Sequence, residues 1–198
     1  MITGFFGLPG CGKSTLLARF AAKELKRIKK GKSKYKRILC NYYIRGCYKL
    51  DFKKLGVVDM SDSLILIDEI TLEADSRDFK NFAQVTKQFF VLHRKYNIDV
   101  IYCTQQWDAV DRKIRELTEN LYYMKRVGPF TMATAIYRRI VITDEQEIKM
   151  GYVFPSFMQL VTNLSTNVIF VWRRRWYKYF YSLECPKLPE IEFEKYPD

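Results

Sequence analysis

Short apolar runs recur along the first half of the chain, separated by longer stretches of mixed polarity. Four of these runs are rich in β-branched or aromatic residues, which is typical of strands. The run from Ser63 to Ile67 is almost entirely apolar, which favours a strand covered on both faces. The predicted strands are Ile2 to Phe6, Arg37 to Ile44, Ser63 to Ile67 and Ile98 to Cys103.

The stretches between these runs show helical spacing. From Ser14 to about Ile28, apolar residues such as Leu17, Ala21 and Leu25 fall on one face of a helix. We also predict helices within Asp75 to Arg94 and over Ala109 to Glu119. Alternation of strands and helices predicts an α/β fold with three layers around a mainly parallel sheet.

The pattern changes after Asn120. Leu121 to Val127, Thr131 to Ile142 and Leu160 to Ser182 alternate in polarity and carry many β-branched or aromatic residues. Turns such as Gly128-Pro129 separate them, so we expect added antiparallel strands in the C-terminal third. The predicted organisation is a core over 1–127, a β-rich extension of the same domain over 128–185 and an irregular tail over 186–198.

One segment carries a phosphate-binding signature. Gly7 to Ser14 reads G-L-P-G-C-G-K-S, a complete P-loop, between the first predicted strand and the first predicted helix. Its backbone amides and the helix N-terminus would point at phosphate. We expect Lys13 to reach the β- and γ-phosphates of ATP and Ser14 to ligate Mg²⁺. The predicted nucleotide-binding residues are Gly7, Leu8, Pro9, Gly10, Cys11, Gly12, Lys13, Ser14 and Thr15.

A pair of acids follows the apolar strand from Ser63 to Ile67. We predict that Asp68 holds the Mg²⁺ and that Glu69 acts as the general base for the attacking water. Alone, two acids at a strand end are ordinary solvated residues. With a P-loop in the same chain, they favour hydrolysis over phosphate transfer to a small molecule.

Two further residues are candidates for the reaction. Gln105 follows the strand from Ile98 to Cys103, where an amide can sense the γ-phosphate, with Gln106 as the alternative. Taken alone, a polar strand terminus explains Gln105 equally well. Arg94 precedes that strand and is our candidate for an arginine finger acting on a neighbouring subunit. A solvated helix end explains Arg94 equally well, and Arg112 and Arg115 compete for the finger role.

Composition points to a polyanionic partner. The 198 residues carry 34 Lys and Arg against 22 Asp and Glu, a formal charge of +12. Such a field attracts nucleic acid, an anionic membrane face or ribosomes, and composition alone does not choose among them. Arg173 to Arg175 lie among aromatic residues, a mixture that suits single-stranded nucleic acid, or else one core face and one solvated face of a strand. Five scattered cysteines without a C-x-x-C pair indicate free thiols in a reducing compartment.

Taken in order, several segments resemble the zonula occludens toxin (Zot) family. They are G-L-P-G-C-G-K-S, L-I-L-I-D-E, D-S-R-D-F-K, H-R-K-Y-N-I-D-V-I-Y-C-T-Q-Q and D-R-K-I-R-E-L, which lie within residues 1–127. That family includes filamentous-phage assembly ATPases and belongs to the FtsK/HerA group of P-loop motors. The resemblance implies a P-loop NTPase fold, ATP hydrolysis with Mg²⁺ and a ring that drives phage DNA assembly, packaging or export. Arg77 also falls on a family position.

The resemblance also implies a location in the host cytoplasm, either free or at the inner face of its membrane. Phage members continue into a transmembrane helix, and this sequence shows neither such a segment nor a signal peptide. We therefore expect a membrane-protein or coat-protein partner, or the basic surface, to provide any attachment. A nucleotide-gated recruiting module with little turnover and a nucleotide or nucleoside kinase are the alternative functions.

Overall fold

A mixed sheet organises the chain, for which the computed structural model describes residues 1–72, 84–142, 148–156, 158 and 167–180. Within these ranges there are nine strands and three α-helices. The strands are β1 (Ile2–Phe6), β2 (Arg37–Cys40), β3 (Tyr48–Lys49), β4 (Ser63–Ile67), β5 (Asp99–Thr104), β6 (Asn120–Val127), β7 (Phe130–Ile142), β8 (Ile148–Val153) and β9 (Val168–Trp172). The helices are α1 (Lys13–Lys29), α2 (Gln84–Leu92) and α3 (Arg112–Leu117).

The parallel part of the sheet has the order β3-β2-β4-β5-β1-β6. Strand β5 therefore lies between β1, which leads into the P-loop, and β4, which leads into the acid pair. On the other side of β6 the sheet becomes antiparallel. The first half of β7 lies between β6 and β9, and its second half pairs with β8. The predicted mainly parallel sheet with added antiparallel strands is confirmed.

Helices cover both faces of the sheet. Helix α1 lies on one face, where Leu16, Leu17 and Ala21 are fully buried. Helices α2 and α3 cover the other face through residues such as Phe90 and Ile114. Burying one leucine side chain stabilises a fold by about 2 kcal/mol, so the apolar stripe of α1 holds this helix and the preceding P-loop against the sheet.

Several element boundaries differ from the prediction. Strand β2 ends at Cys40. Beyond it, the hydrogen bonds to the Asp68 backbone come from the side chain of Asn41 and no longer from the backbone of β2. Strand β9 ends at Trp172, and two 3₁₀ turns follow at Arg173–Arg175 and Tyr177–Tyr179, so the prediction of a continuing strand is wrong there. Strand β8 was not predicted. The tail at 186–198, Arg77, the first part of the predicted helix from Asp75, and residues 160–166 and 181–182 of the predicted β-rich stretch from Leu160 lie outside the described residues.

Candidate nucleotide site

The P-loop joins the end of β1 to the start of α1, as its sequence predicts. Two of its glycines are required by close neighbours. A Cβ at Gly7 would collide with the carbonyl oxygen of Met124 in β6, and a Cβ at Gly12 would overlap the hydroxyl of Thr131 in β7. Gly12 also has a φ of 100° and forms the N-cap of α1. These two positions therefore need glycine for the shape of the loop itself.

A cavity of about 620 Å³ opens over the P-loop, a size typical of small-molecule sites. Its lining includes six of the nine predicted nucleotide-binding residues, namely Pro9, Gly10, Gly12, Lys13, Ser14 and Thr15. Gly7, Leu8 and Cys11 do not line it. The Cys11 side chain is buried in the core beneath the loop, and the Leu8 side chain is exposed. Asp68, Glu69, Gln105, Arg173, Tyr177 and Phe180 complete the lining.

Lys13 lies with its ammonium group inside the loop. The Nζ donates to the carbonyl of Gly7 at 2.9 Å and to that of Leu8 at 3.4 Å, and the side chain is buried. Both acceptors are neutral. A phosphate oxygen is a charged acceptor and forms stronger hydrogen bonds with an ammonium, so Lys13 is placed to exchange these carbonyls for phosphate.

Ser14 and Asp68 meet at the cavity floor. The Ser14 hydroxyl donates to Asp68 Oδ2 at 2.5 Å. Burial raises the pKa of Asp68, although the hydrogen bond from Ser14 and the charge of Lys13 oppose this. One hydroxyl and one carboxylate are hard oxygen donors, and Mg²⁺ is commonly held by one or two carboxylates together with substrate phosphates. The pair fits a nucleotide-bound Mg²⁺.

Asn41 holds the backbone of Asp68. Its Oδ1 accepts the Asp68 N–H at 2.8 Å, and its Nδ2 donates to the Asp68 carbonyl at 2.9 Å. The next residue, Tyr42, donates its hydroxyl to the Ser14 carbonyl at 2.9 Å. The segment after β2 therefore positions both members of the Ser14–Asp68 pair.

Glu69 has a left-handed backbone conformation, with a φ of 53°. For a residue with a Cβ this costs roughly 1–2 kcal/mol. The turn directs the carboxylate toward the end of β5, where Oε1 accepts from Thr71 Oγ1 at 2.6 Å, Gln105 N at 3.2 Å and Thr104 Oγ1 at 3.3 Å. The carboxylate is thereby fixed at the cavity wall.

Gln105 lies at the cavity rim beside Glu69 with an exposed side chain. Gln106, the alternative, is absent from the lining and donates its backbone N–H to the Thr104 hydroxyl at 3.3 Å. Of the two amides, the structure therefore brings Gln105 to the site.

Arg94 lies at the opposite edge of the sheet from the P-loop. It forms an ion pair with Glu119 Oε2 at 2.6 Å, and Glu119 also accepts the N–H of Ile2 at the start of β1. Strand β1 separates this edge from the P-loop, and its five residues span roughly 15 Å. Arg94 therefore does not touch the cavity of its own subunit, and a role on a neighbour's nucleotide stays a prediction. Arg112 and Arg115 also lie outside the cavity lining and pair with Glu116 and Asp108.

Other contacts to the site were not predicted. The Thr131 hydroxyl donates to the P-loop carbonyl of Cys11 at 2.7 Å. Arg173, one of three consecutive arginines interpreted as a nucleic-acid contact or a strand face, instead lines the cavity with Tyr177 and Phe180. Helical or strand periodicity cannot predict that residues 131 and 173 lie beside residue 12, because they are distant from it along the chain. Only a known motif that links these positions could have revealed the contacts.

Comparison with a solved structure supports this architecture. The N-terminal domain of zonular occludens toxin from Neisseria meningitidis superposes with a TM-score of 0.59 at 15% identity, over 91% of this chain and 98% of that one. The genome packaging NTPase B204 of Sulfolobus turreted icosahedral virus 2, in complex with ATP-gammaS, matches with a TM-score of 0.47 at 10% identity, over 75% of this chain and 95% of that one. No curated protein matches the sequence. The family model described as Zonular occludens toxin (Zot) matches residues 6–151. Since this match spans most of the chain and the fold agrees, the protein belongs to the Zot family.

Proposed function

We propose that this protein is a Mg²⁺-dependent ATPase that powers phage DNA assembly, packaging or export. The observation that carries the proposal is the contact between Ser14 and Asp68 on the floor of the P-loop cavity, with the Glu69 carboxylate fixed beside it. A binding loop, a metal-ligating pair and a candidate base are thus assembled by three neighbouring strands.

The proposed reaction assigns a task to each residue. The P-loop amides and Lys13 bind the phosphates, while Ser14 and Asp68 hold Mg²⁺, which when bound would neutralise phosphate charge. Glu69 accepts a proton from water as the water oxygen bonds to the γ-phosphorus and the bond to the bridging oxygen breaks. The products are ADP and phosphate. Gln105 lies beside Glu69, where an amide can orient that water.

The DNA partner is proposed from charge and family. The formal charge of +12 favours a polyanion, and the Zot resemblance implies phage DNA, in single-stranded or double-stranded form. We further propose a homo-oligomeric ring, in which Arg94 would face a neighbour's nucleotide. The proposed site of action is the host cytoplasm, at the inner face of the membrane through a membrane-protein or coat-protein partner. Among the described residues, no helix has the length and apolarity needed to cross a bilayer.

ATP hydrolysis by the purified chain tests this function. We expect Mg²⁺-dependent release of phosphate that single-stranded DNA stimulates. Lys13→Ala and Glu69→Gln should each lower kcat by at least about a hundredfold. Lys13→Ala removes the cation that compensates the phosphate charge, and Glu69→Gln removes the general base. Phosphate release is measured with and without Mg²⁺ and DNA.

Two exposed residues far from the cavity serve as controls. Lys30→Ala and Glu116→Gln make the same kinds of change at surface positions and should leave the rate within about twofold of wild type. Wild-type rates in Lys13→Ala or Glu69→Gln would sink the site assignment. Nucleotide binding with negligible turnover would indicate the recruiting module, and phosphate transfer to an acceptor nucleotide would indicate a kinase.

A further inference from the structure

The chain after β9 crosses the P-loop cavity as an anchored segment. At its beginning, Arg173 donates its backbone N–H to the carbonyl of Pro129 at 3.2 Å. At its end, Tyr179 accepts the N–H of Arg45 at 2.8 Å, and Phe180 forms a β-bridge with Ile44. Both ends are therefore tied to loops that adjoin the sheet, one before β7 and one after β2, and the segment keeps a defined position over the site.

Within this segment, the Arg173 side chain faces the P-loop. Its Nε lies 3.6 Å from the position that a Cβ on Gly12 would occupy. This nitrogen is shielded from solvent and has no hydrogen-bond acceptor among the described residues. The residue as a whole is half-buried, but a shielded donor nitrogen without an acceptor is still unfavourable. Gly12 belongs to the loop along which the phosphates are proposed to lie.

The two neighbouring arginines differ from Arg173. Arg174 and Arg175 are exposed and do not line the cavity. The guanidinium of Arg175 lies over the Trp176 ring, 5.5 Å from its centroid. The three consecutive arginines therefore do not form one basic patch, and Arg173 is the one of the three that lines the cavity.

We propose that Arg173 donates hydrogen bonds to the phosphates of the nucleotide bound by its own subunit. This inference rests on the proposed nucleotide site and extends it with a cationic group from the C-terminal extension. A guanidinium presents several donors in a fixed fork that matches phosphate oxygens. The residue thus acts in cis, in contrast to the role that Arg94 would have toward a neighbouring subunit.

Equilibrium binding of fluorescent ATP-gammaS to the full chain tests the proposal without requiring hydrolysis. Removing a charge-assisted hydrogen bond should raise the Kd of Arg173→Gln by about tenfold or more. Arg173→Lys keeps the charge, so its Kd should lie between those of Arg173→Gln and wild type. Arg174→Gln is the matched control and should bind within about twofold of wild type. Thermal unfolding of each variant establishes that it is folded.

Mixing variants separates cis from trans action. Arg173→Gln subunits are titrated with an excess of Lys13→Ala subunits, which retain Arg173 but lack the loop lysine. If Arg173 acts in cis, the tight binding is not restored. Restored binding, or wild-type binding by Arg173→Gln alone, would overturn the proposal. A wild-type protein that binds ATP-gammaS but hydrolyses no ATP would refute the ATPase function and leave the role of Arg173 intact.

Discussion

Asn41 and Glu69 illustrate how single residues position the candidate chemistry. Asn41 does not line the P-loop cavity, yet its amide satisfies both backbone groups of Asp68. Glu69 adopts an unfavourable backbone conformation that three hydrogen bonds to its carboxylate offset. Strain held by surrounding contacts is common where a carboxylate must keep one orientation. Neighbouring residues therefore hold the backbone of Asp68 and the carboxylate of Glu69.

Asp99 begins β5 at the edge of the sheet opposite the P-loop. Its side chain connects three separate parts of the chain. Its carboxylate accepts from Lys34 Nζ at 2.7 Å, from the Tyr35 hydroxyl and from the amino group of Met1 at 2.7 Å. Burial alone would raise the pKa of Asp99, but these hydrogen bonds outweigh it and lower the pKa to about 2.

This lowered pKa predicts a specific acid sensitivity. The stabilisation by ionised Asp99 is complete above the ordinary pKa near 4 and is lost as the pH falls toward 2, which amounts to roughly 1 kcal/mol once solvent screening of this partly exposed carboxylate is included. We expect the free energy of unfolding of Asp99→Asn to fall less between pH 5 and pH 2.5 than that of wild type. Urea denaturation at both pH values measures this. Asp108→Asn, at a side chain that is 97% exposed, is the control, and equal pH dependence of wild type and Asp99→Asn would contradict the prediction.

At the scale of elements, β7 supports the P-loop as well as extending the sheet. Its residues alternate between faces, so Thr131 and Ala133 are buried on the α1 side, while Thr134 faces the other side. The Thr131 hydroxyl reaches the Cys11 carbonyl at a point where Gly12 leaves room for it. One strand of the extension thus fixes one peptide of the loop.

Replacing this hydroxyl should weaken the loop. Thr131→Val keeps the shape of the side chain but leaves the Cys11 carbonyl without its donor, which should lower the free energy of unfolding by about 1–3 kcal/mol. Nucleotide affinity should also fall severalfold, because the loop loses its fixed conformation. Thr134→Val, on the opposite face of the same strand, is the matched control. Chemical denaturation and nucleotide titration should separate the two variants, and indistinguishable results would exclude this role of β7.

At the scale of the whole molecule, the core and the extension share one site. Strand β6 pairs with β7 along seven residue pairs, and both Thr131 and Arg173 contact or line the P-loop site. We propose that residues 1–127 and 128–185 form a single cooperative unit, as one domain with a β-rich extension. A division at residue 127 would cut through the candidate nucleotide site.

Truncation after Val127 tests this unity. Without the extension, β6 becomes an open edge and the α1 side of the sheet loses cover from Ala133 and Val171. We expect the shortened chain to lose cooperative thermal unfolding and to bind ATP-gammaS at least about a hundredfold more weakly than the full chain. Circular dichroism on heating and nucleotide titration provide the readouts. A fragment with the affinity of the full chain would establish an independent core.

The features visible in the sequence are those that depend on neighbours along the chain. The apolar run of β4 followed by Asp68 and Glu69, and the P-loop between β1 and α1, are local patterns whose structure follows from the residues themselves. Because the carboxyl ends of parallel strands share one edge, their meeting at a common site was also predictable in outline. Family resemblance strengthened this outline and is confirmed by the Zot match.

Other features depended on strand order and on chain reversals that no local pattern specifies. Arg94 lies at the far edge from the cavity because it precedes β5, whereas Gln105 follows β5 and reaches the site. Thr131 and Arg173 approach Gly12 only because β7 and β9 continue the sheet beyond β6 and the chain then turns back over the loop. Local sequence therefore specified the phosphate loop and its acids. Long-range packing decided which distant arginine faces the loop, because only the folded sheet brings residues more than a hundred positions apart into contact.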